Sequence, residues 1–467
     1  MNIAGFIYTI FLLSLAYFLI LTLYYIFLAL VGSMEELRKM IQGEDEDYSL
    51  LYFSPLQMAV TFVVPARNEE EWIADSLKSI INIDYPTFEV VVVNDGSTDK
   101  TMDILNGLLK LTPIDMMYAK HYSDGRVRGV LKSEKYPNIT VVDKDAGNKK
   151  AGAVNAGLNL ARTEYVCIID ADTILERDSL KKVMAQIAKE PDKIIGAGSY
   201  FGLVNGFKIK DGTIMEHSFS YNPLVAYQNI EYMRSFIGNR LAWSRYNAMP
   251  NVAGGFGIWR KDILYELGGY SKEFTCEDIE LTFRAHDYVT KNKEKGYKII
   301  MLPYNVGWTE GPSTIPALIS QRNRWQRVTN ETIWHYKYMA LNPKFGFFGF
   351  LTMPYFILYE CLGVFIEVIS VSLVAAGWIM GVLNLNVFIA FFLFMLLSQS
   401  FVSLLSILTI VEHRKIFKLR YVMYMTMLAL TEFFFYRWLI SVAKILGTID
   451  FFLSKKQYDQ YERPKRA

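Results

Sequence analysis

From Gly5 to Val31 the chain carries no charged residue. A helix that crosses the hydrocarbon layer needs about 20 predominantly apolar residues, because in lipid each backbone amide must find its partner within its own segment. This stretch is long enough to cross. It lacks a basic leader and a small-residue cleavage site before the polar run beginning at Glu35, so it reads as a retained anchor and not as a cleaved signal. Three more apolar blocks follow the polar middle, about Phe347 to Met380, Val387 to Val411 and Tyr421 to Phe435. Such a chain has to divide into a membrane part and a water-facing part.

With 467 residues, 52% hydrophobic and 15% aromatic, the chain is too long for one core and too apolar for an ordinary soluble enzyme. Its 49 basic and 47 acidic residues leave a net charge of +2, so no global field argues for nucleic acid. Cys167, Cys276 and Cys361 have no metal-ligand spacing and allow at most one disulfide, which favours a reducing, cytoplasmic setting for the soluble part.

Charges among the apolar blocks set the expected topology. Glu360 and Glu367 would each cost roughly a few kcal/mol facing lipid, so they belong against a protein interior, a wet path or an interface. The basic loop from His413 to Arg420 should stay cytoplasmic, which with one helix before and three after the soluble part puts both termini outside. The basic tail from Ser454 argues the opposite. Arg437 and Lys444 mark the stretch after Phe435 as an amphipathic interfacial helix, leaving the block before it as a crossing or a re-entrant segment.

The middle region alternates apolar strands with helical patterns. Met58 to Val64 and Phe88 to Val93 read as strands flanking a helix from Glu69 to Ile81. That rhythm predicts a mainly parallel α/β sheet with active groups at the carboxyl ends of its strands. The segment from Pro113 to Lys144, with Lys120, Arg126, Arg128, Lys132 and Lys135, reads as a mobile polar insertion.

Several fragments carry candidate chemistry. The first strand ends in Val64-Pro65-Ala66-Arg67-Asn68-Glu69, where proline stops the ladder and Arg67 and Glu69 open a helix. Asp95 ends the next strand, suited to a base or ribose, although Asp95-Gly96-Ser97 is equally good turn chemistry. Asp170-Ala171-Asp172 places two carboxylates just beyond the apolar run Tyr165 to Ile169. Hard cations such as Mg2+ or Mn2+ want such oxygen ligands and bridge substrate phosphates. In Lys149 to Gly157, small residues allow close approach and Lys150 can reach a diphosphate as a point charge, where the bland alternative is a surface helix with basic caps. Asn251 to Arg260, with Gly254 and Gly255, lets backbone pass close to a bound chain or simply turns before the helix starting near Lys261.

Taken in order, Asp95, Asp170-Ala171-Asp172, Cys276-Glu277-Asp278 and Gln321-Arg322-Asn323-Arg324-Trp325 resemble the membrane-integrated, inverting family 2 glycosyltransferases, which include cellulose, chitin, hyaluronan and poly-N-acetylglucosamine synthases. The resemblance covers most of the chain. It implies a GT-A fold, with Asp95 on the uridine, Asp172 holding Mg2+ or Mn2+ and Asp170 supporting the donor. Asp278 would be the general base beside Glu277, and Gln321, Arg324 and Trp325 would lie at the acceptor and diphosphate end, with Gly254 and Gly255 near the acceptor. Pro65, Arg67, Glu69 and Lys150 join the nucleotide-sugar set. Two positions depart from the pattern: Cys276 stands where threonine is common, and Gln326-Arg327-Val328 follow Trp325 where polymer-forming members often have a glycine.

Inverting transfer needs one carboxylate to take the acceptor hydroxyl's proton, and charge building on the diphosphate calls for a metal with Arg324 or Lys150. Trp325 offers a face for a sugar ring or an interfacial anchor. The expected division is residues 1–33 as a transmembrane helix, 34–55 as linker and 56–312 as a cytosolic catalytic domain. Residues 313–345 would form amphipathic interfacial helices, 346–453 a transmembrane region of about three helices and 454–467 a basic tail. The expected function is polymerisation of a UDP-sugar, with UDP-N-acetylglucosamine favoured, into a β-linked polysaccharide passed through a cell membrane. Single-sugar transfer to a lipid acceptor and a non-catalytic channel or scaffold are the alternatives. The expected partners are the UDP-sugar, the polysaccharide or lipid acceptor and the bilayer, without nucleic acid. No motif specifies accessory subunits.

Overall fold

Val60–Ala66 (β1) and Phe88–Asp95 (β2) are runs rich in valine whose residues are almost all buried, the composition of central strands covered on both faces. They pair in parallel, with Pro65 opposite Val93 and Ala66 opposite Asn94. β6 (Tyr165–Ile168) lies parallel on the other side of β1, with Val63 opposite Ile168. Three strand ends therefore reach one edge. The computed structural model describes residues 3–44, 48, 58–118, 120–122, 125–147, 149–413 and 416–453, so Arg414, Lys415, residues 45–47 and 49–55 of the expected linker and the basic tail lie outside the described residues.

The remaining strands are β3 (Leu111–Ile114), β4 (Val127–Ser133), β5 (Ile139–Lys144), β7 (Ile174–Leu175), β8 (Ile194–Leu203), β9 (Lys208–Lys210), β10 (Thr213–Glu216), β11 (Gly257–Arg260) and β12 (Lys298–Thr309). Among the described residues ten of the twelve strands form one sheet in the order β3-β4-β5-β2-β1-β6-β11-β8-β12-β7, and β9 with β10 make a separate hairpin. The expected parallel α/β core is present in β5-β2-β1-β6, and β12 runs parallel to β8. The flanks are antiparallel: β11 lies between β6 and β8, and β3-β4-β5 meander. The sheet is thus mixed.

The span Pro113 to Lys144, expected as a mobile polar insertion, forms strands over about half its length. β4 and β5 join the main sheet, and Ile139, Val141 and Val142 are fully buried. Both strands are paired on each side, and charge is tolerated in them because Arg128 and Lys132 keep part of their side chains in solvent while Lys144 is buried in a pair with Asp95.

Among the described residues two unbent helices are long and apolar enough to cross a membrane, within Ile3–Glu44 and Leu385–His413. Two bent pairs add up to two more, Phe348–Cys361 with Gly363–Ile379 at 49° and Leu419–Phe434 with Tyr436–Leu453 at 53°. The first bend follows a π-helical turn over Phe356–Cys361, and the Tyr17 hydroxyl donates to the Leu358 carbonyl there at 3.1 Å. An inserted partner of this kind is one of the ordinary causes of a helix kink.

The half-polar helix Ile315–His335 lies against Tyr436–Leu453. Asn323 donates to Asp450 at 2.8 Å and Asn330 to Thr448 at 3.1 Å. At Gly447 the two cross so closely that a Cβ would stand 2.5 Å from the Asn323 carbonyl oxygen.

Candidate active site

Asp170 follows β6, and a turn closed by the Thr173 amide donating to the Asp170 carbonyl at 3.0 Å carries the chain on to Asp172. The helix Lys150–Leu160, rich in glycine and alanine, packs against β1 and β2 and presents Lys150 at its first turn. The Lys150 ammonium lies 2.6 Å from Asp170 Oδ1 and 3.0 Å from Glu277 Oε1. Burial opposes its charge, yet Asp170 and Glu277 together outweigh burial and hold it well above the ordinary lysine value.

Glu277 and Asp278 begin the helix Glu277–Lys291, where exposed amides favour negative charge. Asp278 Oδ1 accepts from the Ile279 amide at 2.7 Å and from the Cys276 thiol at 3.1 Å, and Oδ2 accepts from the Gly254 amide at 2.9 Å. Burial, helped by Asp278 and Glu277, pushes the Cys276 thiol far up, so it stays a donor. Gly254 makes this convergence possible. A Cβ there would stand 3.0 Å from Lys150 Nζ, 3.6 Å from Asp278 Oδ2 and 3.7 Å from Glu277 Oε1.

The Thr309 hydroxyl donates to Asp172 Oδ1 at 3.3 Å, and the Asp172 side chain is buried at the strand end. Among the described residues no three His, Cys, Asp or Glu side chains cluster into a self-sufficient metal site. One buried carboxylate at a strand end still fits a hard cation that takes its other ligands from diphosphate and water, the usual mode for Mg2+ at phosphates.

A cavity of about 660 Å³ gathers Lys150, Asp170, Asp172, Gly254, Gly255, Glu277, Asp278, Gln321, Arg324 and Trp325. It continues among the apolar helices, past Tyr17 and Tyr25 to Glu360, Glu367, Arg437 and Lys444. Glu360 pairs with Lys444 at 2.6 Å and accepts from the Tyr355 hydroxyl at 2.7 Å, while Glu367 pairs with Arg437. Both carboxylates within the apolar block therefore face a protein interior with a cation from the last helix.

Pro65, Arg67, Glu69 and Asp95 are not part of this cavity's lining. Asp95 is fully buried against Lys144, its register partner across β2 and β5, and accepts from the Gly147 amide at 3.0 Å. Arg67 donates to the Gly147 carbonyl at 2.6 Å, so Arg67 and Asp95 meet at one turn. The Glu69 amide donates to Thr101 at 2.9 Å and its carbonyl starts the first turn toward the helix Ile73–Ile81. Pro65 does not stop the ladder as expected: β1 continues to Ala66, which lies opposite Asn94 of β2.

Several polar groups in and around the site were not singled out from the sequence. Arg322 stacks 4.1 Å over the Trp325 ring, donates to Gln321 at 2.5 Å and pairs with Glu231 at 2.8 Å. Tyr436 donates to the same Glu231 oxygen at 2.6 Å, which ties the motif helix to the last apolar helix. Lys144, Glu231, Arg240 and Tyr436 belong to no short motif. Arg322 sits inside one, three residues from Trp325, a spacing that places both on one helical face.

Among curated proteins, the poly-beta-1,6-N-acetyl-D-glucosamine synthase of Staphylococcus epidermidis is 26% identical over 275 residues, covering 59% of this chain and 55% of that protein. The probable glycosyltransferase YdaM of Bacillus subtilis is 28% identical over 273 residues, covering 57% of this chain and 54% of that protein. The matched stretch thus spans about half the length of each relative. Among solved structures, the mannosyltransferase PcManGT from Pyrobaculum calidifontis, in complex with GDP-Man and Mn2+, superposes with a TM-score of 0.52 at 17% identity. It covers 93% of this chain and all of its own, a likeness of fold. The family model described as Glycosyl transferase family 2 matches residues 61–268. That described as Glycosyl transferase family group 2 matches residues 165–441, more than half of the chain, and the chain belongs to this glycosyltransferase family.

Proposed function

We propose that the protein is an inverting synthase that transfers a sugar from a UDP-sugar to the end of a growing β-linked polysaccharide and feeds the product into the membrane. The reading is carried by one observation: a single cavity reaches from the carboxylates at the strand ends to ion pairs among the apolar helices. The name of the Staphylococcus epidermidis relative favours N-acetylglucosamine as the sugar. In this reading the catalytic domain faces the cytoplasm, where nucleotide sugars are made, and the apolar helices cross the cell membrane more than once.

In the transfer, an acceptor hydroxyl attacks the anomeric carbon in line with the bond to UDP. The carbon–oxygen bond to the diphosphate breaks as the new glycosidic bond forms, and Asp278 takes the hydroxyl proton. The backbone amides of Gly254 and Ile279 orient that carboxylate. Lys150 keeps Asp170 and Glu277 at fixed positions and adds positive charge near the departing phosphates. Asp172 would hold a Mg2+ or Mn2+ that neutralises charge on the leaving diphosphate. Asp95 and Arg67, meeting at Gly147, would receive the nucleoside.

The test is UDP release by the purified full chain, with Mg2+ or Mn2+, from a panel of labelled UDP-sugars, followed by product sizing. A ladder or long polymer supports the reading. A single lipid-linked sugar would replace it with one-step transfer, and a folded protein that releases no UDP from any donor would overturn it.

A further inference from the structure

Among the described residues seven cations line the cavity, and six of them are engaged by polar or charged protein groups. Lys150 is held by Asp170 and Glu277, Arg322 by Glu231, Arg234 by Glu432 at 3.0 Å, Arg437 by Glu367 and Lys444 by Glu360, while Arg324 also has an interaction of its own. Arg240 is the exception. Among the described residues it forms no ion pair, and its Nη1 is buried without a hydrogen-bond partner.

Its surroundings argue against accident. Arg240 ends a π-helical turn, Arg234–Arg240, and such turns re-aim side chains at functional sites. Its guanidinium lies 4.1 Å over the Phe236 ring, which packs at 4.8 Å on Phe201, and Phe201 covers Gly255. Aromatic rings thus fix the cation beside the catalytic backbone without supplying it an oxygen. Burial lowers the Arg240 guanidinium to about 10, against the opposing pull of Asp278 and Tyr232, so Asp278 is close enough to sense its charge. A buried, unpaired guanidinium is destabilising, and five rigid donors seek oxygen acceptors.

The diphosphate end already has Lys150, and Arg240 stands on the segment packed against the N-terminal apolar helix. We infer that Arg240 is the acceptor-recognition residue, donating hydrogen bonds to oxygens of the terminal acceptor saccharide so that its attacking hydroxyl faces Asp278. This rests on the transferase reading above. It also accounts for the π turn: Arg234 at one end is held in a pair with Glu432, while Arg240 at the other end awaits a partner that enters with substrate.

The experiment uses the full chain in detergent with a defined oligosaccharide of the product sugar. Initial rates are measured against acceptor concentration, and UDP binding is measured separately. For R240Q the acceptor KM should rise about 10- to 100-fold, the loss expected for a hydrogen bond to a charged group, with UDP affinity unchanged. R240K, which keeps charge and the stack over Phe236, should recover part of it, and is the variant scored if R240Q does not fold. Unaltered acceptor KM in both, or equal losses of acceptor and UDP affinity, would overturn the assignment. Absence of UDP release by the unsubstituted chain would instead overturn the transferase reading.

Discussion

The amide of Gly254 donates to Asp278 Oδ2 at 2.9 Å, so a backbone that no side chain obstructs aims the proposed base. Replacing Asp278 by Asn removes proton acceptance and should lower turnover about 10²- to 10⁴-fold while leaving UDP affinity within about 3-fold. G254A places a methyl group 3.0 Å from Lys150 Nζ and should cost on the order of 10-fold by misplacing the same groups. Steady-state kinetics with isothermal titration of UDP separates the two effects. Full turnover in D278N would remove Asp278 from its role.

Lys150 bridges Asp170 and Glu277, and breaking a buried pair leaves uncompensated charge. K150M should lose about 3–5 kcal/mol of stability, and K150M combined with E277Q should regain part of it. Because Lys150 is raised in the folded protein, its contribution is fully present below the ordinary lysine value and is lost only as pH climbs through the higher folded one. Denaturation curves between neutral and alkaline pH test this, and a flat response in K150M is expected.

His286 responds at the other end of the scale. It is buried, stacks on Phe348 with ring centroids 4.0 Å apart and donates from Nε2 to the Met249 carbonyl at 2.8 Å. Burial lowers it from 6.5 to about 4, against a smaller opposing contribution from that hydrogen bond. The depressed value means stability is intact above about 6.5 and falls by about 3 kcal/mol as pH drops through 4. Melting temperatures from pH 7 to pH 4 should decline less steeply in H286Q, and parallel slopes would contradict this.

Cys276 lies next to the base, yet its thiol is held protonated by burial and by Asp278 and Glu277. Alkylation requires the thiolate, so iodoacetamide at pH 8 should modify Cys276 at least about 10-fold more slowly than a free cysteine. Mass spectrometry of the digested protein gives the rate directly. Rapid labelling would mean that the thiol is more open and less opposed than its contacts imply.

The legible parts of the chain are those whose chemistry is local. β1, β2 and β6 are runs of buried β-branched residues, so the strand ends that carry Asp95 and Asp170 could be placed from pattern alone. β4 and β5 were hidden because lysine, arginine, glycine and aspartate interrupt their β-branched residues, so the stretch resembles loop although both strands are paired on each side. The need of Glu360 for a non-lipid neighbour was visible, whereas its partner Lys444 lies 84 residues away and follows no periodicity. Arg240 was invisible for a different reason: a π-helical turn shifts the side-chain phase, so helical spacing does not predict its direction.

The crossing at Gly447 sets the Asn323 carbonyl against the backbone of the last apolar helix, with no side chain between them to act as a cushion. Under the membrane reading proposed above, a tilt imposed on Tyr436–Leu453 by a thicker or thinner bilayer would pass through this crossing to the helix that carries Gln321, Arg324 and Trp325. One missing methyl group would then make lipid composition a mechanical input to the proposed chemistry.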